Sequence, residues 1–456
     1  MNITQAITSA FKRFMPSPFT IAVLLTLLTM MLAFFFTPDV EGNKMLFILS
    51  EWEKGIWNTD LLVFGYQMML ILVLGHILVL SKPMNKVILA ITTLVTNGKS
   101  AVVMVCITTM LVAFFNWGLG LIFGAILARK VAEYAQQNNI PINYPLLGAA
   151  GYSGLMVWHG GISGSAPLKV AEKGHLKGFI NTIEDKDIAG MIPELISTDQ
   201  TIFSWWNLLI FGAVLIIVPL VLRVVSEKTT ATPLQLNPYN FDTTNAKADG
   251  AEKLDSSKYL AWFFGILILL AFSYQYSKSL TEFTITPNML NFFMFGLAIV
   301  LHGSFTNFLK ALNEAIQGTS GILIQFPLYF GIMGIMKSTG MVSGISDFFV
   351  SIATEDTLPI VSFFSAGLVN IFVPSGGGQW AIQGPIVVES ALSLNVPLPK
   401  AIMALAYGDQ ITNMLQPFWA LPLLGITKLK AKEILPYTLI LMLVGGTIYL
   451  LGLLLL

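Results

Sequence analysis

The sequence predicts an all-α polytopic membrane protein. It would have about nine transmembrane helices, two re-entrant hairpins and two broken helices, arranged as inverted repeats. Three observations predict this. Of 456 residues, 55% are hydrophobic and only 11% are charged, against about 25% charged in a soluble domain. Apolar runs of membrane-spanning length recur along the chain. Glycine-rich interruptions recur in both halves at a near-constant offset. The composition also excludes other classes. A soluble enzyme of this length could not cover its surface with so few charges. With 25 Lys+Arg against 25 Asp+Glu there is no basic excess for nucleic acid. High hydrophobicity excludes disorder. One cysteine, Cys106, excludes internal disulfides and cysteine-based metal clusters.

A span needs about 20 apolar residues. The runs read as spans are Phe19–Phe36, Leu61–Leu80, Ile202–Leu222, Tyr259–Tyr274, Asn288–Leu301, Ser320–Met336 and Tyr437–Leu456. The first follows Lys12 and Arg13 and lacks a cleavage site after it, so it reads as a retained span. Two regions read as hairpins. In 101–128, Ala101–Phe115 meets a second arm across Asn116-Trp117-Gly118-Leu119-Gly120. In 358–394, Leu358–Val373 meets a second arm across Pro374-Ser375-Gly376-Gly377-Gly378. At 1.5 Å per residue each arm is about 15–24 Å, short of a core about 30 Å thick. Two further regions read as helices interrupted inside the bilayer. Over 144–170 the chain runs into His159-Gly-Gly-Ile-Ser163-Gly-Ser165, and over 401–427 into Asn413-Met-Leu-Gln416-Pro. Irregular backbone at that depth must be buried in protein or line a cavity.

Matching residues mark the repeat. Asn116 and Asn370 are 254 apart, Asn139 and Asn395 are 256 apart, and Tyr152 and Tyr407 are 255 apart. The chain therefore divides into a first repeat (1–225), a cytoplasmic linker with a linking span (226–276) and a second repeat (277–456). With the N-terminus inside, span parity places the second repeat upside down and the C-terminus outside. Cytoplasmic segments then hold 16 Lys/Arg and 8 acids, and external segments 9 and 15. That is the positive-inside pattern.

On this topology no Lys or Arg falls within a span or hairpin, and only two acids do, Glu389 and Asp409. An ionisable group at membrane depth is costly and so marks a functional candidate. Asp409 lies near the midplane and is the expected ion-coupling residue. Glu389 lies near the end of a hairpin arm and reads as interfacial. His159 opens the first break; His76 and His302 lie near span ends and read as structural. Glycine lets backbone N–H groups converge on a ligand, and helix N-termini favour anions. Gly120 and Gly124 read instead as close-packing positions. Trp117, Trp380, Phe418 and Trp419 sit at tips and breaks, where they would wall an apolar pocket or anchor the interface. Gly151-Tyr-Ser-Gly and Gly161-Ile-Ser-Gly match the pattern around an intramembrane serine nucleophile. A nucleophile needs a base within reach, and His76 and His302 sit near span ends.

Several longer motifs resemble the bacterial short-chain fatty acid transporter family. They are Phe-Asn-Trp-Gly (115–118), Ser-Gly-Ser-Ala-Pro (163–167), Ile-Leu-Ile-Gln-Phe-Pro (322–327), Val-Pro-Ser-Gly-Gly-Gly-Gln-Trp (373–380), Ile-Gln-Gly-Pro (382–385), Ala-Tyr-Gly-Asp-Gln (406–410) and Gln-Pro-Phe-Trp-Ala-Leu-Pro (416–422). The resemblance implies an inner-membrane carrier for monocarboxylates such as acetoacetate or butyrate, not an enzyme. It also implies the plan of the larger ion-transporter superfamily, whose members often form homodimers. The sodium–dicarboxylate branch carries Ser-Asn-Thr at each tip; only Asn116 and Ser375 carry over here. The expected partners are a short-chain carboxylate and the lipid bilayer. No cofactor is expected, and the coupling cation is H+ or Na+. The residues expected to bind substrate are Asn116, Trp117, Gly118, His159, Ser163, Ser165, Ser375, Gly376, Gly377, Gln379, Trp380, Asn413 and Gln416. Asp409, with Asn116 and Asn370, is expected to couple the ion, with a sodium site near Asn116 and Asp409 as one form of it. A di- or tricarboxylate symporter and an intramembrane serine hydrolase are the competing readings.

Overall fold

The computed structural model describes residues 16–37, 42–179, 190–232, 236, 249–281 and 286–456. The flank carrying Lys12 and Arg13, and residues 237–248 of the linker, lie outside the described residues. The protein is all-helical among those described. The first half contains α1 (Pro18–Phe36), α2 (Lys44–Ile56), α3 (Thr59–Leu80), α4 (Lys82–Thr92), α5 (Gly98–Phe115), α6 (Trp117–Gln137), α7 (Tyr144–Tyr152), α8 (Ser165–Ala171) and α9 (Trp205–Lys228). Helix α10 (Lys258–Gln275) follows. The second half contains α11 (Pro287–His302), α12 (Phe305–Ala315), α13 (Ser320–Ser338), α14 (Met341–Ser351), α15 (Leu358–Phe372), α16 (Gly376–Ser393), α17 (Leu398–Thr412), α18 (Pro417–Thr427) and α19 (Ala431–Leu455). Each half thus runs long helix, short helix, long helix, short helix, hairpin, broken helix, final helix. Six described helices are long and apolar enough to cross a membrane.

The two halves also share local geometry. Asn139 and Asn395 both take positive φ, 54° and 57°. Ile140 N–H donates to Ala135 O and Val396 N–H to Ala391 O, each at 2.8 Å. These are matching C-terminal caps on α6 and α16, and asparagine tolerates the left-handed backbone they need. Short 3-10 turns follow α7 at Ser153–Met156 and α17 at Asn413–Leu415, marking where each broken helix loses its regular backbone.

Three expectations need correction. The arms of the first hairpin are 18 and 21 residues, about 27 and 32 Å at 1.5 Å per residue, longer than read from the sequence. Arg129, Lys130 and Glu133 therefore lie inside α6, 7%, 9% and 6% exposed, so basic residues do enter a hairpin arm. The helix carries them through as paired groups sharing one carboxylate: Arg129 Nε donates to Glu133 Oε1 at 2.8 Å and Lys130 Nζ to Glu133 Oε2 at 2.9 Å. Conversely, the run read as Asn288–Leu301 forms a helix of 16 residues, about 24 Å long.

The α5–α6 pair is an antiparallel hairpin. A Cβ on Gly120 would collide with Ala113, and one on Gly124 with Thr109 and the Gly151 carbonyl. Small residues there let the arms and the first broken helix close to backbone contact. A large apolar core, including Leu147, Val214, Ile411 and Trp419, joins the two halves. A smaller one, including Ala166, Phe179, Trp380 and Leu405, sits beside the second hairpin.

Candidate functional site

The site forms where the breaks and the hairpin tips meet. Tyr152 of α7 donates its hydroxyl to Asn413 O at 2.9 Å, with Gln416 O at 3.2 Å. Tyr407 of α17 donates to Asn207 Oδ1 at 2.6 Å, and Asn207 Nδ2 donates to Gly160 O at 3.0 Å. Each tyrosine of the repeat thus serves carbonyls released in the other half's break, directly or through one asparagine. Buried carbonyls without such donors are costly.

His159 and Asp409 are the central pair, 0% and 1% exposed. Nδ1 of His159 contacts Oδ2 of Asp409 across the two halves. His159 Nε2 accepts the Ala166 N–H at 3.0 Å, so Nε2 carries no proton and Nδ1 does. The backbone N–H groups of His159 and Gly160 both donate to Gln410 Oε1, at 2.8 and 3.1 Å. Neighbours on one helix, Asp409 and Gln410, thereby hold both the side chain and the backbone of the first break. Oδ1 of Asp409 is buried with no protein partner.

The hairpin tips supply helix N-termini. Asn116 Oδ1 accepts the Leu119 N–H at 2.9 Å and Ser375 Oγ accepts the Gly378 N–H at 3.2 Å. Ser163 Oγ accepts the Trp117 N–H at 2.9 Å, tying the first break to the first tip. Among the described residues no acceptor faces the N–H of Gly118, Gly376 or Gly377. Unsatisfied first-turn donors favour an anion. The second tip lies against the pair: a Cβ on Gly376 would sit 2.6 Å from Trp158 Cη2, 2.9 Å from His159 Cε1 and 3.2 Å from Asp409 Oδ2. Only a residue without a side chain fits. A Cβ on Gly377 would meet Ser165 Oγ at 3.9 Å.

Aromatic rings wall one side. Trp158 stacks on His159 with centroids 4.5 Å apart, and Trp117 lies 6.0 Å from Trp158 and 5.2 Å from Trp419. Phe64 joins them at 6.4 Å from Trp117, and Phe418 packs on Trp419 at 5.0 Å. Trp158 and Phe64 were not anticipated. Trp158 stands next to His159 in sequence, which was the available signal.

Other residues fall elsewhere. Trp380 is turned away from this wall: it belongs to the smaller core and donates Nε1–H to His175 Nε2 at 2.9 Å. Gln379 Nε2 is committed within the second hairpin, to Ala366 O at 2.9 Å and Gln383 Oε1 at 2.7 Å. Asn370 Nδ2 meets Asp409 O, Thr412 Oγ1 and Asn413 Oδ1 at 2.6, 2.9 and 2.7 Å. Gln416 Nε2 in turn donates to Asn370 O. These amides knit the second break to its own hairpin. Asn116 Oδ1 is engaged with the Leu119 N–H and Asp409 Oδ2 with His159 Nδ1. The buried Arg129–Lys130–Glu133 group was missed. Arg129 Nη1 reaches Thr427 O at 3.4 Å and Tyr144 Oη–H donates to it at 2.7 Å, at the C-terminus of α18.

Stacked helices, matched breaks and inward polar tips define a multi-pass membrane transporter. A family model described as short chain fatty acid transporter matches residues 1–456. A protein of Escherichia coli (strain K12) assigned as a short-chain fatty acid transporter is 36% identical over 99% of each chain. One of Haemophilus influenzae with the same assignment is 34% identical, again over 99% of each. The chain belongs to the short-chain fatty acid transporter family, a family of membrane carriers and not of enzymes. Its substrate is accordingly a carboxylate. The crystal structure of the Alcanivorax borkumensis YdaH transporter aligns over 96% of this chain and 98% of its own, at 14% identity and a TM-score of 0.45. That likeness is too distant to carry anything further.

Proposed function

We propose that the chain takes up short-chain fatty acids of the acetoacetate or butyrate type across a bacterial inner membrane, by cation-coupled symport with alternating access. The observation that carries this is the meeting of the Gly376-Gly377 helix start with the His159–Asp409 pair, beside an aromatic wall. In this reading the carboxylate lies on the N–H groups of Gly118, Gly376 and Gly377, near Ser163 and Ser165. The short acyl tail lies against Trp117, Trp158 and Trp419. Asp409 couples the cation. The N-terminus is cytoplasmic and the C-terminus periplasmic, which the charge partition supports. The repeats are inverted and the working unit is a homodimer, as the superfamily resemblance implies.

The test is uptake of labelled butyrate by purified protein in proteoliposomes, with unlabelled carboxylates as competitors. Acetoacetate and butyrate are expected to compete well, and succinate and citrate weakly. Stronger competition by succinate or citrate would mean a di- or tricarboxylate carrier.

A further inference from the structure

We propose that the coupled cation is a proton, that it binds Oδ1 of Asp409, and that one proton moves with one carboxylate, so that transport is electroneutral. This rests on the carboxylate-carrier reading above.

Nε2 of His159 is occupied by the Ala166 N–H at 3.0 Å. A proton there would face another donor. With Nε2 accepting that bond, the Nδ1–H of His159 is directed at Asp409 Oδ2. The pair is 0% and 1% exposed. One further proton has one open acceptor, Asp409 Oδ1, which is buried and has no protein partner. Adding it forms an O–H bond and leaves the pair neutral. The proton comes from water on the entry side and returns to water on the exit side. His159 acts as a positioning residue: it orients the carboxyl group.

The tip supplies the coupling. A Cβ on Gly376 would lie 3.2 Å from Asp409 Oδ2. A carboxylate held on the Gly376 and Gly377 N–H groups is then only a few ångströms from the aspartate. Two like charges about 5 Å apart, at an effective dielectric of about 20, weaken binding by roughly two orders of magnitude. No Lys or Arg among the described residues bonds to either member of the pair to offset this. The substrate anion and the Asp409 proton therefore stabilise each other's binding.

The groups facing the pair from packed elements are not competing proton sites. They are the Ala166 N–H of α8, the Gly376 backbone of α16, the Trp158 ring and the Asn370 amide of α15. The nearby buried tyrosines Tyr152, Tyr407 and Tyr449 each donate their hydroxyl to an acceptor.

The experiment uses the purified full chain in proteoliposomes with labelled acetoacetate. An internal pH dye counts protons, and valinomycin with potassium gradients sets the potential. Protein-free liposomes give the leak of the free acid. An inward proton gradient should drive accumulation at one proton per carboxylate. An uncompensated charge would alter accumulation roughly fifty-fold per 100 mV; none of that dependence is expected. The wild-type KM should rise as pH rises. Asp409→Asn, similar in shape and uncharged, should flatten that dependence, and His159→Gln should displace it. Accumulation that follows membrane potential or a sodium gradient, with KM independent of pH, overturns the proposal while leaving the carrier reading intact. No transport above protein-free liposomes for any short-chain carboxylate overturns both. If Asp409→Asn fails to fold, the wild-type stoichiometry and potential dependence decide alone.

Discussion

Replacing Gly376 with alanine tests how tightly the second tip is seated on the first break. The new Cβ would lie 2.6 Å from Trp158 Cη2 and 2.9 Å from His159 Cε1. Ordinary contacts are near 3.5–4.0 Å, so something must move by about 1 Å. Neither ring has room, because Trp158 is 5% exposed and His159 is 0% exposed. Their stack, 4.5 Å between centroids, couples any shift of one to the other. Overpacking of this kind costs about 1–3 kcal/mol. If the tip yields, the carboxylate donors move with it, and that energy corresponds to roughly a 5- to 150-fold rise in KM. Gly377→Ala is the paired control for folding, since its Cβ would meet only Ser165 Oγ at 3.9 Å. The assay is the KM of labelled butyrate uptake together with thermal unfolding in detergent. Gly376→Ala should raise KM or lower the melting temperature, and Gly377→Ala should leave the melting temperature near wild type. A Gly376→Ala protein with both wild-type KM and wild-type melting would refute the close seating of tip on break.

Glu133→Gln leaves Arg129 and Lys130 buried without the carboxylate they share, and should destabilise by about 3–5 kcal/mol, read by detergent melting. Tyr152→Phe removes the donor to Asn413 and Gln416 carbonyls and should cost about 1–3 kcal/mol; melting indistinguishable from wild type would show that the second break is held otherwise. Burial, with Lys169 second and Glu172 opposing, holds His175 below its usual pKa. A folded pKa below the unfolded one favours the neutral form, so this stability is present above about pH 6.5 and is lost as pH falls through the folded value. Melting should therefore be flat at higher pH and fall on acidification. Trp380→Phe, which removes the bond to His175, should weaken that fall; a steeper one would contradict it.

Much of the architecture was legible because the bilayer imposes it. Runs such as Leu61–Leu80 and Ile202–Leu222 announce helices, and Asn, Gly and Pro mark where helices stop. Asn139 and Asn395 were visible as a repeat before their shared positive φ gave the reason. The short helices α2, α4, α12 and α14 went unread because a search for membrane-length runs passes over them. The Arg129–Lys130–Glu133 group lay beyond the hairpin bound at 128, although charges spaced three and four residues apart can pair along a continuing helix. Asp409 and His159 were each legible as lone polar groups at membrane depth. Their pairing was not, since it joins residues 250 positions apart and depends on how the halves pack. Trp380 was grouped with the other tip aromatics, but it lies past the tip and its side chain is directed to the His175 loop.

The most direct test is to locate the substrate. Butyrate bearing a terminal bromine, soaked into an experimental structure, can be placed by anomalous scattering. The carboxylate is expected on the Gly376 and Gly377 N–H groups and the bromine against Trp117, Trp158 or Trp419. A carboxylate bound instead at Arg129 and Lys130, with the bromine remote from those rings, would contradict it.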